Sequence, residues 1–305
     1  MRRVRYESPA GPLFLEEAPV PEPGPGELLV RCAAVGLTLP MVRKVTEAAA
    51  PVPLGGEVAG EVVATGPGAA RFRTGDRVTG LCFGHGYADY AVMHEAMASP
   101  VPDDAGFVTA VALVRSGLVA YGALEAARFA PGESVLVTAA ASGVGHLAVQ
   151  LARARGAGRV VGAVSGAAKA DFVRSLGVDD CVRYDDGSWG EPVDCVLDAV
   201  GGELLTPALA ALAPHGRLVA YSSGGGTIAA YDLLTGAKSV IGFQMALVAR
   251  ERPEVYERWR RELWRLYAEG ALKPAVHGGF ALAQAEEGHR VITARANLGK
   301  VVLRP

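Results

Sequence analysis

The chain has 305 residues, half of them hydrophobic and a fifth charged, the balance of an ordinary globular protein of about two domains. Thirty Lys and Arg against 32 Asp and Glu leave a formal net charge of −2, which gives no electrostatic footprint for nucleic acid or an anionic membrane. Gly and Pro, 39 and 19 in number, are too few for a collagen-like or disordered chain.

The start, Met1-Arg2-Arg3-Val4-Arg5, is basic, but Glu7, Pro9, Gly11 and Pro12 follow where an export signal needs an apolar run. A nearly continuous apolar run, 28–35, comes after the turn-rich Pro21-Glu22-Pro23-Gly24-Pro25-Gly26. Further runs at 57–65, 76–81 and 87–93 are bounded by Gly and Pro, the first by Gly66-Pro67-Gly68. Such runs predict a β-rich, barrel-like or sandwich-like unit. A helical stretch then extends from about Phe107 to Phe129, and Pro131-Gly132-Glu133 marks the turn after it. Arg115 and Glu125 interrupt its apolar span, so no stretch of ~18 uncharged residues suited to a membrane is expected.

From there strands and helices alternate. Strands are predicted at 134–139, 159–164, 193–198 and 217–222, with helices at 144–155, 169–176 and 204–212 between them. That alternation predicts βαβ units on a parallel sheet. Beyond about Met245 come a helix at 254–268, a strand-like 275–281, a helix at 284–294 and a last strand at 300–303. Cys32, Cys82, Cys181 and Cys195 form no C-x-x-C pair, which reads as free thiols in a reducing compartment, and a cytoplasmic protein is expected.

The sharpest local signal is Ala140-Ala141-Ser142-Gly143-Val144-Gly145, between a predicted strand and an amphipathic helix. It holds the place of the dinucleotide fingerprint G-x-G-x-x-G, with Ala140 and Ser142 for the first two glycines. Small residues let the backbone approach a pyrophosphate, and the helix start offers N–H groups and the positive dipole end. Alone, so degenerate a motif would equally suit a plain tight turn; followed by further βαβ units it points to a dinucleotide. At the end of the second strand, Ala163-Val164-Ser165-Gly166, no acid precedes Asp171 to bind a ribose 2′-hydroxyl. Ser165 and Lys169 suit a 2′-phosphate instead, which favours NADP over NAD.

Several segments together carry a family resemblance: Glu27-Leu28-Leu29-Val30-Arg31, Gly55-Gly56-Glu57-Val58-Ala59-Gly60, Phe72-Arg73-Thr74-Gly75-Asp76, Gly86-Tyr87-Ala88-Asp89-Tyr90, Leu176-Gly177-Val178-Asp179-Asp180, Gly216-Arg217-Leu218-Val219 and Gly299-Lys300-Val301-Val302-Leu303. The sequence resembles the zinc-independent medium-chain dehydrogenase/reductases of the quinone oxidoreductase (ζ-crystallin-like) family. The resemblance implies an α/β protein: a GroES-like β-rich catalytic domain from 1–112 and 248–305, with a doubly wound Rossmann NADP-binding domain, 113–247, inserted. It also implies NADPH-dependent reduction of a small-molecule quinone or α,β-unsaturated carbonyl, usually by a homodimer, with neither nucleic-acid nor membrane partners expected. Ser142, Gly143, Val144 and Gly145 match the pyrophosphate turn, Lys169 and Tyr184 the pair near the adenosine 2′-phosphate. Ser222, Phe243 and Asn297 fall near where family members line the cofactor.

Zinc-dependent relatives carry metal ligands at places that fall near Thr38, at Gly56 and near Arg115, none of them a thiolate or imidazole here, so no zinc is expected. A reducible substrate must then already be electron-poor, the cofactor carrying the hydride while the protein positions it. Candidate catalytic residues are Thr38, where the family usually has Asn, and Tyr121 as a proton donor, with Tyr87, Tyr90 and solvent as alternatives. The family's Asp a few residues after Thr38 is replaced by Met41 or Val42, and a Thr near the nicotinamide by Val119. Substrate-side contacts have thus drifted more than the cofactor side. An enoyl-thioester reductase of the polyketide or coenzyme A type is the second reading, with Arg43, Lys44, Arg71 and Arg73 as its possible basic groove. A non-catalytic NADPH-binding protein is the third.

Overall fold

In the computed structural model, which describes residues 1–221 and 224–305, the Gly- and Pro-bounded runs of the first third are strands. They are β1 (Arg2–Arg5), β2 (Phe14–Glu17), β3 (Glu27–Leu37), β4 (Gly56–Thr65), β5 (Arg77–Cys82), β6 (Tyr90–His94) and β7 (Ala98–Pro100), with helix α1 (Leu39–Glu47) after β3. Helix α2 (Phe107–Ala126) follows. The alternating region holds β8 (Ser134–Thr138), α3 (Gly145–Ala154), β9 (Arg159–Val164), α4 (Ala167–Ser175), β10 (Asp180–Arg183), β11 (Val193–Asp198), α5 (Leu205–Ala210), β12 (Leu212–Ala220), α6 (Ala230–Gly236) and β13 (Ser239–Gly242). The chain ends with α7 (Met245–Glu251), α8 (Pro253–Ala268), β14 (Val276–Ala281), α9 (Ala285–Thr293) and β15 (Lys300–Arg304).

Two compact units result. The first comprises Met1–Arg115 and Ala275–Pro305. Its main sheet runs β14-β15-β3-β4-β5-β7, with β6 also on β3. All its pairings are antiparallel except β14 with β15, as expected of Gly- and Pro-punctuated strands. Val30, Val35, Val58, Val62, Val78, Val301 and Leu303 fill its core. Gly60 permits the close β3–β4 crossing, since a Cβ there would lie 1.9 Å from the Arg31 carbonyl oxygen.

The second unit is Ser116–Pro274. Its six strands are all parallel, in the order β10-β9-β8-β11-β12-β13. The order reverses between β8 and β11, the topological switch point where such sheets bind ligands beyond their carboxyl ends. The return to the first unit comes at Ala275 rather than at 248, because α8 belongs to the second. Gly117 and Gly122 of α2 leave room for it: a Cβ at Gly117 would lie 2.9 Å from Leu263 Cδ2, and one at Gly122 2.8 Å from Trp259 Cζ3. Likewise α2 is, by length and composition, apolar enough to cross a membrane despite Arg115 and Glu125, but 72% of its most apolar stretch is buried within the protein, the behaviour of a core helix.

Candidate functional site

At the switch point β8 ends and the chain turns through Ala139, held in the left-handed region at φ 47°. The Ser142 N–H donates to the Ala139 carbonyl at 2.8 Å, and the Ser142 hydroxyl oxygen accepts the Gly145 N–H at 3.0 Å, taking up a donor of the first turn of α3. Ala140 and Ala141 are buried, whereas Ser142, Gly143 and Val144 remain partly open to solvent. A Cβ on Gly145 would stand 2.1 Å from the Ala139 carbonyl oxygen, so this tight turn requires glycine. A half-open backbone at a helix start suits an anion such as a pyrophosphate.

The ends of β9 and β10 close on this turn. The Tyr184 N–H donates to the Val164 carbonyl at 2.9 Å, while its phenol oxygen accepts the Ala139 N–H at 2.8 Å. Beside it, Lys169 Nζ donates to Ser165 Oγ at 3.0 Å. Asp171, the nearest acid in sequence, pairs with Arg174 at 3.0 Å. The predicted Ser165, Lys169, Tyr184 and turn residues thus gather at one sheet end, presenting a cation and a hydroxyl where an NAD-type site would present a carboxylate. Below the turn, the Thr138 hydroxyl donates to the buried Asp198 at 2.9 Å, and Asp198 also accepts the Val200 and Gly201 N–H groups at 3.1 and 2.9 Å. Burial, with Asp198 as the next cause, pushes the Tyr221 phenol up.

Other predicted residues have different surroundings. Thr38 caps α1, its hydroxyl accepting the Met41 N–H at 3.4 Å. Tyr121 lies 5.8 Å ring to ring from Trp259 and 5.0 Å from the Arg155 guanidinium, and Arg155 ends α3, the end remote from the turn. Phe243 fills the space above Gly122 and lies 6.3 Å from the Trp259 ring. Asn297 donates to the Gly299 carbonyl at 2.9 Å, tying the turn before β15. Val119 is buried in α2, and Tyr87 is buried against His289, oxygen to Nε2 at 3.1 Å. Arg43 pairs with Glu47 at 3.9 Å and Arg73 with Asp76 at 3.7 Å, while the Arg71 guanidinium donates to the Glu95 backbone carbonyl at 2.9 Å. Ser222 lies outside the described residues.

One charged cluster was not singled out from sequence. In the first unit Glu57 is 1% exposed and Lys300 3% exposed, and Lys300 Nζ contacts Glu57 Oε2 directly. Arg115 NH1 stands 3.4 Å from Glu57 Oε1. Desolvation pushes the Lys300 ammonium down, against the opposing pull of Glu57. The available signal was a lone acid and a lone lysine inside two apolar strands, Gly56-Glu57-Val58 and Gly299-Lys300-Val301. Gly56 precedes this carboxylate, Arg115 pairs with it, and Thr38 follows the β3 end that pairs with β4 at Gly36 and Glu57. Among the described residues no group of three or more His, Cys, Asp or Glu is placed to hold a metal ion.

Family models for an alcohol dehydrogenase GroES-like domain and a zinc-binding dehydrogenase match residues 24–103 and 143–266. A quinone oxidoreductase of Pseudomonas aeruginosa is 31% identical over 324 residues, covering 100% of this chain and 99% of its own. A polyketide synthase system protein of Streptomyces orinoci is 34% identical over 94% of this chain, which spans 14% of that protein. A mycobacterial protein solved in complex with NADPH superposes with a TM-score of 0.93 at 29% identity over the whole of both chains. The chain belongs to the quinone oxidoreductase family of medium-chain dehydrogenase/reductases.

Proposed function

We propose that this protein is an NADPH-dependent oxidoreductase that delivers hydride to a quinone or an α,β-unsaturated carbonyl. The observation that carries the reading is the Ser165–Lys169 pair beside the Tyr184-braced turn, with no acid at the end of β9. Backbone at Ser142, Gly143, Val144 and Gly145, with the small Ala140 beneath, would hold the pyrophosphate, and Lys169 and Ser165 would hold the 2′-phosphate. The bound dinucleotide supplies the hydride; the chain supplies orientation and charge. The NADPH complex of the mycobacterial relative supports NADPH as the dinucleotide.

The test is NADPH oxidation, followed by its near-ultraviolet absorbance, against benzoquinone, phenanthrenequinone, an enone and crotonyl-coenzyme A. NADH and a Lys169→Ala variant run in parallel. Turnover of quinone or enone with preference for NADPH is expected, and the variant should lose about 10- to 100-fold in NADPH affinity while NADH binding hardly changes, the effect of removing one charge-assisted contact. Turnover of crotonyl-coenzyme A alone would favour the enoyl-thioester reading, which the polyketide synthase relative supports. NADPH binding without any turnover would favour a non-catalytic role.

The same reading includes a homodimer. Strand β13 ends the parallel sheet, and Val240, Tyr231, Leu234 and Leu247 on and around it are exposed, so a second copy can extend the sheet there. The four cysteines, none in a disulfide, suit a reducing compartment such as the cytoplasm.

A further inference from the structure

The helix that opens at the dinucleotide turn carries an inference that deepens the proposed function and rests on its cofactor reading. Helix α3 buries two polar side chains among Leu147, Ala148, Val149, Leu151 and Ala152: His146, 0% exposed, and Gln150, 9% exposed. Polar groups so placed cost stability unless they are hydrogen-bonded, and both are. His146 Nδ1 lies 2.8 Å from the Ser142 carbonyl oxygen, and since a carbonyl only accepts, Nδ1 carries the proton. Gln150 Nε2 donates to the His146 carbonyl at 3.0 Å. Each side chain thus reaches back to the carbonyl one turn before it, and the two bonds run along one line from Ser142 to Gln150.

At the near end of this line, the Ser142 carbonyl accepts two donors, the His146 N–H at 3.1 Å and the imidazole. In a trans peptide the next N–H points opposite to the carbonyl. Pinning that carbonyl along α3 therefore aims the Gly143 N–H outward from the helix start, the direction an anion there requires. At the far end, the Gln150 carboxamide takes both backbone groups of Lys273. Its Oε1 accepts the Lys273 N–H at 2.8 Å, and its Nε2 donates to the Lys273 carbonyl at 3.3 Å. Lys273 lies in the irregular stretch between α8 and β14, so a side-chain amide does for it what a neighbouring strand does in a sheet. The next residue, Pro274, is the last of the second unit, and the chain enters the first at Ala275. The clamp stands at the return crossover.

We propose that His146 and Gln150 are positioning residues that couple dinucleotide binding at the turn to the order of the crossover at Lys273. When the turn holds a pyrophosphate, the Ser142–Gly143 peptide keeps the orientation that the imidazole also favours, and the first turns of α3 move less. The His146 carbonyl is then held more tightly, and with it the Gln150 carboxamide and the Lys273 backbone. Coupling of this kind acts through restricted motion and needs no change of shape. It is also reciprocal: an ordered crossover strengthens cofactor binding by the same factor.

The experiment follows hydrogen exchange at the Lys273 amide with and without saturating NADPH, and NADPH affinity by titration. The proteins are the wild type, His146→Leu, His146→Asn and Gln150→Met. NADPH should slow exchange at Lys273 in the wild type by about 5- to 10-fold, the weight of one hydrogen bond. His146→Leu should bind NADPH about 10-fold more weakly and, at saturation, show no response at Lys273. His146→Asn, whose amide nitrogen can stand in for Nδ1, should restore most of both. Gln150→Met should exchange fast at Lys273 in either state and lose NADPH affinity by the factor of the lost response. A merely structural pair would raise exchange throughout α3 and leave the NADPH response at Lys273 intact. That result, or a wild type that binds NADPH with no change at Lys273, would overturn the coupling and leave the cofactor reading standing. A wild type that does not bind NADPH would overturn the cofactor reading itself, and the coupling with it.

Discussion

The Tyr184 phenol oxygen accepts the Ala139 N–H at 2.8 Å, so a side chain from the end of β10 braces the turn that follows β8, two strands away in the sheet. The bond gives the N–H of Ala139, which sits in a left-handed conformation, an acceptor from outside the turn.

Tyr184→Phe keeps the ring against Trp189, 6.1 Å away, and removes the acceptor that the Ala139 N–H uses. A loosened turn should weaken NADPH binding by about 5- to 10-fold, matching the ~1 kcal/mol of a neutral hydrogen bond. Fluorescence titration measures it, and an unchanged circular-dichroism spectrum checks the fold. An affinity equal to that of the wild type would mean that the turn keeps its shape without the brace.

Gly145→Ala should be harsher. The added methyl would stand 2.1 Å from the Ala139 carbonyl oxygen, so the turn must open to admit it. NADPH affinity should fall by at least 100-fold, with the melting temperature lower by several degrees, in line with ~1–3 kcal/mol for overpacking a rigid site. Calorimetric titration and thermal unfolding give the two numbers.

Acid stability should report on His289. Burial pushes its imidazole down from 6.5 to about 4, so the folded protein keeps it neutral where the unfolded chain binds a proton. This contribution is complete above about pH 6.5 and is lost progressively as the pH falls towards 4. Its full size is of order 3–4 kcal/mol, at ~1.4 kcal/mol per pH unit over that window. Denaturant midpoints should decline across the window, and His289→Gln should flatten the slope while lowering stability at neutral pH through the altered contact with Tyr87. An unchanged slope would place the acid-sensitive group elsewhere.

The edge strand gives a prediction about assembly. Val240→Lys puts a charge on an exposed edge position, a device that natural sheets use against pairing. If a second copy extends the sheet at β13, light scattering behind a sizing column should find the wild type at twice the chain mass and the variant at the chain mass. A monomeric wild type would remove the homodimer from the proposed function.

Much of this protein could be read from its residues. The alternation of β-branched runs with amphipathic helices after Ser134 specified parallel βαβ units, because a strand and a helix each need a different period of apolar residues to reach one core. Small residues between Thr138 and His146 and the acid-free end of β9 marked the dinucleotide turn, since close backbone approach and phosphate charge impose residue types locally. The short edge strands β10 and β13 were not legible: half exposed and four residues each, they lack a core-facing run, and their strand character comes from pairing with β9 and β12. The neighbours of Tyr121, Arg155 and Trp259, come from distant parts of the chain, so its surroundings could not be read locally. The Glu57–Lys300–Arg115 cluster joins residues as far apart as 243 positions. Only tertiary structure decides such a partnership: a buried charge is tolerable only with a counter-charge, and which one it meets depends on how β15 returns to pair with β3.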